Sequence, residues 1–504
     1  MPGSQDFISL FNDRAATDPD RVFARYGGNA ITFADLDRAS ARFAAMLARL
    51  GVERGDRVAV MMRNGTTSLA LIFAILRAGH VWVPVNAALK GEGLRHVLDH
   101  CDPALIVADE EFLDRIAECG ARARAPVTVC PDGDDLEEAG GVAGPVPAAD
   151  DPAAIMYTSG TTGPAKGVIV THRMLRLAAE AVALSSAPRP GDIYFLWEPF
   201  YHIGGAQTLI LPLVRDISLS MVDRFSATRF WQEVREAGAT HIHYLGGVIQ
   251  ILLKQPPSPR DRDHPVRIAW GGGCAADAWR AFEERFGVEI REGYGMTEAS
   301  SLTSFNDTGV VGSIGRPVPW FEVRLLDDDG REVKDGRGEI VVTTSLPGAI
   351  FPGYFRNPDA TARALRPEGF RTGDMGSRDV EGNLYFHGRK GDSVRCKGEN
   401  VSAYEVEHVV GLHPDVEDSA MIGVAADVGE QDIKLFVQLK PGATEDPGAL
   451  SAWLAERLAP FQQPRYIAFV DEFERTPSKR IMKHRLSPSR EECWDRLAER
   501  ESIR

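Results

Sequence analysis

The chain has 504 residues, which is more than one hydrophobic core usually serves and predicts two or more domains. Its 57 Lys and Arg residues against 72 Asp and Glu residues give a net charge of −15, which repels the phosphate backbone of a nucleic acid. We therefore expect no nucleic-acid partner, although one locally basic cleft can still hold a small anion.

The cysteines and the N-terminus bear on where the protein works. The 6 cysteines are scattered, without the spacing of a zinc site or a redox motif, and we interpret them as reduced thiols. The first residues are polar and include an acid, unlike a signal peptide, and no run of about 18 apolar residues occurs. These features predict a cytoplasmic protein with no membrane partner.

Helix-like and strand-like patterns alternate in the first part of the chain. Apolar residues recur at helical spacing over 33–50, and short β-branched runs occur at 56–62, 105–107 and 127–129. The alternation predicts an α/β fold with mixed, mainly parallel sheets sandwiched by helices. A loop rich in Gly, Pro, Asp and Ala follows at 131–152, and we expect it to be an exposed connection.

The later part of the chain changes character twice. Residues 321–344, with a turn at Asp328-Asp329-Gly330, are typical of a small antiparallel β unit. After Arg389 charges become dense, and the order strand, helix, strand, strand, helix predicts a compact α+β domain. We therefore predict a large N-terminal domain at 1–389 and a small mobile domain at 390–504.

The strongest local signal is a loop rich in glycine and hydroxyl groups, Tyr157-Thr158-Ser159-Gly160-Thr161-Thr162-Gly163-Pro164-Ala165-Lys166-Gly167. Glycines let backbone amides converge on an anion, hydroxyls add donors, and the lysine adds a point charge. This composition predicts a phosphate-binding loop. It is not a Walker A loop, because Lys166 follows Ala165 and precedes Gly167, where Walker A has glycine before the lysine and Ser or Thr after it.

A second glycine-rich segment has the outline of a dinucleotide-binding unit. A strand-like run over 266–270 leads into Gly271-Gly272-Gly273-Cys274-Ala275-Ala276, and a helix is predicted over 277–286. Taken alone, this outline suggests NAD. The chain then continues into Glu292-Gly293-Tyr294-Gly295-Met296-Thr297-Glu298, which a dinucleotide unit does not explain.

Four motifs together resemble the adenylate-forming superfamily of acyl-CoA synthetases, adenylation domains and firefly luciferase. They have its order and spacing, and the resemblance covers almost the whole chain. They are 158–167, 293–298, Arg371-Thr372-Gly373-Asp374, and Gly388-Arg389-Lys390-Gly391-Asp392 continuing to Lys397-Gly398-Glu399-Asn400. Within the superfamily, the segments 252–259 and 261–265 resemble the bacterial crotonobetaine/carnitine-CoA ligase-like branch.

The resemblance implies a site for ATP. Lys166 and the loop hydroxyls would hold the β- and γ-phosphates, Thr297 would touch the α-phosphate, and Glu298 would be the ligand of Mg²⁺, which prefers carboxylate and phosphate oxygens. The implied ATP- and AMP-binding set is Thr158, Ser159, Gly160, Thr161, Thr162, Lys166, Gly273, Cys274, Glu292, Gly293, Tyr294, Thr297, Asp374 and Arg389. In it Tyr294 would stack on adenine opposite Gly273 and Cys274, Asp374 would accept from the ribose hydroxyls, and Arg389 would contact ribose and phosphate.

The resemblance also implies an acyl pocket. His202, in Pro199-Phe200-Tyr201-His202-Ile203-Gly204-Gly205, matches the aromatic residue that gates the acyl tunnel in relatives and is counted with the catalytic residues. The other matching positions are Tyr244, Gly247, Trp270, Cys274, Gly295 and Met296. The bulk of Tyr244 and Trp270 favours a short or ring-shaped acid, although both are equally compatible with ordinary core packing.

The terminal domain carries the implied contacts with coenzyme A. Relatives pivot at the position of Asp392, and this motion would bring 397–400 to the thioester site. Gly398 would let the pantetheine arm pass close to the backbone, and Arg395 with Lys397 would meet the phosphates.

One position departs from the family pattern. Relatives carry a catalytic lysine in a Pro-Thr-Gly-Lys type loop, whereas this chain reads Arg475-Thr476-Pro477-Ser478-Lys479-Arg480-Ile481. Arg480 falls at the lysine position, and Lys479 would do so after a one-residue shift. Arginine spreads its charge over a plane, so its approach to a carboxylate differs from that of an ammonium group.

Together these features imply an acid–thiol ligase that uses ATP and Mg²⁺ to activate a small organic acid as an acyl-adenylate and then transfers the acyl group to coenzyme A. The enzyme would be a monomer or a homodimer and needs no protein nucleophile. Two alternatives remain. The adenylate is passed to a carrier-protein thiol, an amine or another nucleophile, or, as Arg480 suggests, the chain binds nucleotides without catalysis.

Overall fold

Two large β-sheets with helices on their faces make up most of the molecule. The computed structural model describes residues 6–122, 125–131, 136–142, 144–158, 165–245, 247–390, 393–396, 399–426, 431–458, 460, 462–475 and 481–498, and only the backbone of residues 92, 393, 395, 399, 400, 402 and 405.

The first part of the chain alternates helices and strands. Thr32 and Asp35 form a capping box at the start of the helix expected over 33–50, because the Thr32 hydroxyl accepts from the Asp35 amide and the Asp35 carboxylate accepts from the Thr32 amide. The elements are α1 (Phe7–Thr17), β1 (Val22–Tyr26), β2 (Asn29–Thr32), α2 (Phe33–Arg49), β3 (Arg57–Met61), α3 (Thr66–Arg77), β4 (Val81–Pro84), α4 (Gly91–Cys101), β5 (Leu105–Ala108), α5 (Leu113–Glu118) and β6 (Val127–Val129).

The second part contains most of the predicted site. Gly238 and Gly287 adopt the left-handed conformation that ends the helices Phe230–Ala237 and Ala276–Phe286. The elements are β7 (Pro152–Thr158), β8 (Lys166–Thr171), α6 (His172–Ser186), β9 (Asp192–Leu196), α7 (Ile203–Val214), β10 (Ile217–Met221), α8 (Phe230–Ala237), β11 (His241–Leu245), α9 (Val248–Leu253), β12 (Ile268–Gly272), α10 (Ala276–Phe286), β13 (Glu289–Met296), β14 (Ser301–Phe305) and β15 (Arg316–Pro317).

The described strands of these two parts form two sheets. Six pair in the order β6-β5-β3-β4-β7-β8 and nine in the order β15-β14-β13-β12-β11-β9-β10-β1-β2. The largest core cluster combines both sheets with α1, α2, α3, α6 and α7, while α8 to α10 cover the outer face of the larger sheet and α4 and α5 that of the smaller one. Strands β9, β11, β12 and β13 are parallel, so their carboxyl ends meet at one edge, where open α/β sheets bind ligands.

The third part is the antiparallel β unit predicted from the sequence. Strand β20 pairs with β19 of the sheet β16-β17-β19-β18. The elements are β16 (Phe321–Leu326), β17 (Gly338–Thr344), α11 (Pro358–Ala364), β18 (Leu365–Arg366), β19 (Gly369–Arg378) and β20 (Leu384–Arg389).

The terminal part has the predicted α+β character, which confirms the expected fold class. It contacts the rest of the chain through the rings of Phe386 and Tyr404, whose centroids are 5.9 Å apart, and through an ion pair of 3.3 Å between Lys254 and Glu417. The domain boundary at 389/390 stays a prediction. The elements are β21 (Ser393–Cys396), β22 (Glu399–Ser402), α12 (Ala403–Gly411), β23 (Val416–Ala425), β24 (Gln431–Leu439), α13 (Pro447–Ala455), β25 (Tyr466–Phe469) and β26 (Trp494–Asp495). None of the described helices combines the length and the apolar character that crossing a bilayer requires.

Gly315 joins the edge of the nine-stranded sheet to β20, and we expect it to tolerate no side chain. Its φ is +74°, and a Cβ atom there would lie 1.8 Å from the backbone oxygen of Phe305. We expect Gly315→Ala to lower the free energy of unfolding by about 3 kcal/mol, measured by urea denaturation. Gly382→Ala is the matched control, because φ is +88° there but no atom lies within 4 Å of the added carbon, so only backbone strain of about 1 kcal/mol is expected. Equal losses in the two variants would contradict this account.

Candidate active site

The predicted phosphate-binding loop connects β7 to β8. Thr158 pairs with Lys166 across this hairpin, and the Thr158 hydroxyl lies 3.5 Å from the Lys166 carbonyl oxygen. Between them, residues 159–164 lie outside the described residues and contain the predicted Ser159, Gly160, Thr161 and Thr162. The hairpin therefore fixes both ends of the loop.

A tyrosine that the sequence analysis did not single out joins Lys166 to Glu298. The Lys166 Nζ atom lies 4.3 Å from the centroid of the Tyr354 ring, and the Tyr354 hydroxyl donates a 2.8 Å hydrogen bond to Glu298 Oε1. Burial lowers the pKa of Lys166, and the charge of Glu298 opposes this effect. The two predicted phosphate-binding charges thus converge at one place. In the sequence, the only feature that draws attention to Tyr354 is the Pro-Gly pair directly before it.

Glu298 has the geometry of a carboxylate that can hold a cation. It lies in a buried 3₁₀ turn, Thr297–Ala299, and among the described residues its Oε2 atom accepts no hydrogen bond. A free carboxylate oxygen fits Mg²⁺, and phosphate oxygens would have to complete the coordination. Within the described part of the chain, the one cluster of three metal-binding side chains is elsewhere, at His413, Asp415 and Glu445 of the terminal part.

Three predicted nucleoside-binding residues come together at the β13, β19 and β20 strands. The Tyr294 hydroxyl donates a 2.7 Å hydrogen bond to Asp374 Oδ2, and Arg389 Nε lies 2.8 Å from Asp374 Oδ1. Asp374 and Arg389 are register partners in adjacent strands, and the Asp374 side chain is 4% exposed. Both carboxylate oxygens are engaged, so a ribose hydroxyl would have to share Asp374 with Tyr294 or Arg389.

Glu292 faces the protein interior and holds the glycine-rich loop after β12. Its carboxylate accepts hydrogen bonds from the Tyr244 hydroxyl at 2.5 Å, from the Gly273 amide, and from the Cys274 amide at 3.1 Å. Burial raises the pKa of Glu292 to about 7, although these three donors act in the opposite direction. The strand–loop–helix outline noted in the sequence is therefore present, and a buried carboxyl group from β13 braces its loop.

The predicted acyl-pocket residues occupy different surroundings. Trp270 packs in the core on the side of α6 and α7, whereas Tyr244 packs on the opposite face of the sheet, in the cluster of α8 to α10. His202 is the N-cap residue of α7, and Gly247 is exposed at the start of α9. Of the remaining predicted pocket positions, Cys274 is buried, Met296 is half-buried and Gly295 is exposed.

A buried ion pair near these residues was also missed. Glu198 Oε2 lies 2.8 Å from His243 Nδ1, and the two residues are 2% and 4% exposed. The sequence contains a weak signal for it, because Glu198 directly follows the apolar run Tyr194-Phe195-Leu196-Trp197. An acid in such a position is buried only when it has a partner.

The predicted contacts of the terminal domain are largely beyond the described residues. Asp392, Lys397, Gly398, Lys479 and Arg480 lie outside them, and Arg395 is described only by its backbone in β21. Their roles stay predictions.

Comparison with known proteins identifies relatives along nearly the whole chain. A family model described as AMP-binding enzyme matches residues 11–355, and one described as AMP-binding enzyme C-terminal domain matches residues 405–480. The crotonobetaine/carnitine–CoA ligases of Salmonella paratyphi B and Salmonella typhi are each 31% identical over 520 aligned residues, which cover 96% of this chain and 99% of theirs.

Solved structures give the same picture. ATP-bound MatB from Rhodopseudomonas palustris is 29% identical with a TM-score of 0.84, covering 95% of this chain and 98% of that one. The o-succinylbenzoate CoA synthetase MenE from Bacillus subtilis, in complex with ATP and magnesium, is 25% identical with a TM-score of 0.86, covering 95% and 98%.

The buried Glu292 makes stability depend on pH. In the unfolded chain this carboxyl group ionises near its usual value of 4.5, whereas in the folded protein it stays protonated up to about pH 7. As the pH rises between these values the unfolded state loses its proton first, so the stability contributed by this group falls and is then constant above about pH 7. We expect the stability of Glu292→Gln, relative to the unsubstituted protein, to be about 2 kcal/mol more favourable at pH 8 than at pH 5, by urea denaturation. A difference that is constant with pH, like that expected for the exposed Glu284→Gln, would contradict the assignment.

Proposed function

We propose residue roles from the premise that the chain belongs to the AMP-binding enzyme family. It is an acid–thiol ligase that uses ATP and Mg²⁺ to convert a carboxylic acid into an acyl-adenylate and then transfers the acyl group to coenzyme A. The observation that carries the residue roles is the approach of Lys166 and Glu298 to one tyrosine, Tyr354.

The triphosphate is proposed to lie between Lys166 and Glu298. The partly desolvated Lys166 ammonium attracts the leaving pyrophosphate more strongly than an exposed one would, because less water screens it. Mg²⁺ held by Glu298 would supply further positive charge to the phosphate oxygens. Thr297, buried beside Glu298, is proposed to contact the α-phosphate, and the loop hydroxyls at 158–162 are proposed to complete the cradle.

The nucleoside is proposed to lie along β13 and β19. Asp374 would accept from ribose hydroxyls, and Arg389 would stay close to both ribose and phosphate. Tyr294 would present its ring to adenine, because its hydroxyl is fixed by Asp374. The loop held by Glu292 would line the other side of the base with Gly273 and Cys274.

In the first half-reaction a carboxylate oxygen of the acid attacks the α-phosphorus, and the bond from this phosphorus to pyrophosphate breaks. Positioning and electrostatic stabilisation account for catalysis of such a step. Arg480, or Lys479 after a one-residue shift, is proposed to neutralise the carboxylate as it approaches. In the second half-reaction the thiol sulfur attacks the acyl carbon, AMP leaves, and the thiol proton passes to solvent or phosphate. Burial raises the pKa of Cys274, so this cysteine stays a thiol and is not proposed as a nucleophile.

The acid is proposed to be short or ring-shaped. Trp270 is 1% exposed and packs in the core on the side of α6 and α7. The relatives named as crotonobetaine/carnitine–CoA ligases support a small acid. Coenzyme A is the acceptor, and a monomer or a homodimer remains our expectation for the assembly.

Removal of the Lys166 charge is expected to impair adenylation. Lys166→Met keeps an unbranched side chain but leaves the pyrophosphate charge without its closest ammonium, and we expect kcat for pyrophosphate release to fall about 100-fold. Lys334→Met, at an exposed position, is the matched control and should leave kcat unchanged. Equal rates for both variants would remove Lys166 from the proposed mechanism.

Removal of the Tyr354 hydroxyl tests the link between the two charges. Tyr354→Phe keeps the ring beside Lys166 but releases Glu298, and we expect the KM for MgATP to rise about tenfold, the effect of one hydrogen bond to a charged group. Tyr385→Phe loses a comparable 3.0 Å hydrogen bond to Asp379 outside the site and should leave the KM unchanged. A KM that responds equally to both substitutions would show that the hydroxyl has no specific role.

A further inference from the structure

The buried Glu198–His243 pair is not used by the mechanism above. Glu198 directly follows the β9 segment, His243 lies in β11, and the two side chains meet at 2.8 Å almost completely shielded from water. Because burial of a carboxylate and an imidazole costs desolvation that their contact rarely recovers in full, an apolar pair would serve packing at least as well. Packing alone therefore does not explain the Glu198–His243 pair, and a role in function would.

The pair borders the predicted acyl pocket. The centroid of the His243 ring lies 4.2 Å from that of the Trp270 ring, and the two residues are register partners in β11 and β12. Glu198 is four positions before His202, the predicted gate. Gly204 is in the first turn of α7, and a Cβ atom there would lie 2.2–2.7 Å from the Glu198 carboxylate atoms. The Glu198 carboxylate therefore occupies the space beside α7 that a side chain at position 204 would need.

The pair has buried polar atoms without a hydrogen-bond partner. Glu198 Oε2 and His243 Nδ1 lie 2.8 Å apart, yet neither atom makes a hydrogen bond to any described residue. A buried carboxylate oxygen without a donor favours a ligand that brings one. In the described part of the chain no other side chain hydrogen-bonds to the Glu198 carboxylate or to the His243 ring. The indole Nε1 of Trp197 is occupied, because it donates to the His243 carbonyl oxygen at 2.8 Å, and Trp270 Nε1 has no hydrogen-bond partner among the described residues.

We propose that Glu198 and His243 select the substrate, which is a carboxylic acid bearing a hydrogen-bond donor, best a protonated amine, at the end remote from the reacting carboxylate. A buried carboxylate oxygen that lacks a donor complements such a group and disfavours a methyl group of the same size. This inference rests on the proposed function, because it takes His202 and Trp270 as the boundary of the acyl pocket.

The first test uses the unsubstituted enzyme and matched acids. 4-Aminobutanoate and pentanoate differ only in an ammonium against a methyl group, as do 3-aminobenzoate and 3-methylbenzoate in an amino against a methyl group. Calorimetric titration of each acid measures binding, and pyrophosphate release measures turnover. We expect the amino member of at least one pair to bind about tenfold more tightly or better, with the gain mainly in KM. Equal or weaker binding of both amino members would overturn the inference. Absence of pyrophosphate release with every acid would instead count against the proposed function.

The second test removes the charge and keeps the shape. We expect Glu198→Gln to reduce the preference for the amino member over the methyl member of the pair about tenfold, read as the ratio of their KM values. Glu236→Gln, which changes an exposed acid on α8, is the matched control and should keep the preference. A Glu198→Gln protein with a lower melting temperature but an unchanged preference would show that the pair only braces the start of α7 and would overturn the inference. If this variant does not fold, the binding ratios of the unsubstituted enzyme decide.

Discussion

The hydrogen bond from the Tyr354 hydroxyl to Glu298 joins the two large sheets at the place where ATP is proposed to react. Tyr354 belongs to a segment paired with β8, since the Phe355 amide donates to the Gly167 carbonyl at 2.8 Å, and Glu298 follows β13 of the other sheet. Lys166, the proposed phosphate-binding lysine, begins β8 of one sheet, whereas the Glu298 carboxylate follows β13 of the other. The distance between these charges is therefore set by the packing of one sheet against the other, and disruption of that packing would separate them.

Local charge and global charge differ in this molecule. The whole chain carries −15, yet the proposed nucleotide site is lined by Lys166 and Arg389, and the nearest acids are each bonded to a tyrosine hydroxyl. Screening limits the reach of distant surface charge to about 10 Å at moderate salt, so the few groups within the cleft dominate its potential. A polyanionic substrate is therefore compatible with an acidic protein, and the acidic exterior discourages longer polyanions.

The sequence predicts the architecture well because local patterns decide it: the helix expected over 33–50, the alternating strands and helices, and the turn at 328–330 are all found. The residue types of the loop at 157–167 likewise predict phosphate binding, whereas the glycine-rich segment after β12 suggests NAD when taken alone, and ATP follows only from the resemblance to the family. Contacts between distant segments are different. Tyr354 meets Glu298 across 56 positions, and Glu198 meets His243 through a register that no local pattern specifies. The resemblance places Tyr244 and Trp270 in one pocket, and the sequence does not reveal that they pack on opposite faces of the sheet.

Arg389 is both a proposed ligand of the nucleotide and the last residue of β20, directly before the chain leaves for its terminal part. A contact that restrains the Arg389 guanidinium also restrains the start of the segment that connects β20 to the terminal part. Linkage then requires reciprocity: if a bound nucleotide favours one orientation of the connection, that orientation must strengthen nucleotide binding by the same factor. The replacement of ATP by AMP during the reaction cycle is thus a way to change the orientation of the connection that follows Arg389.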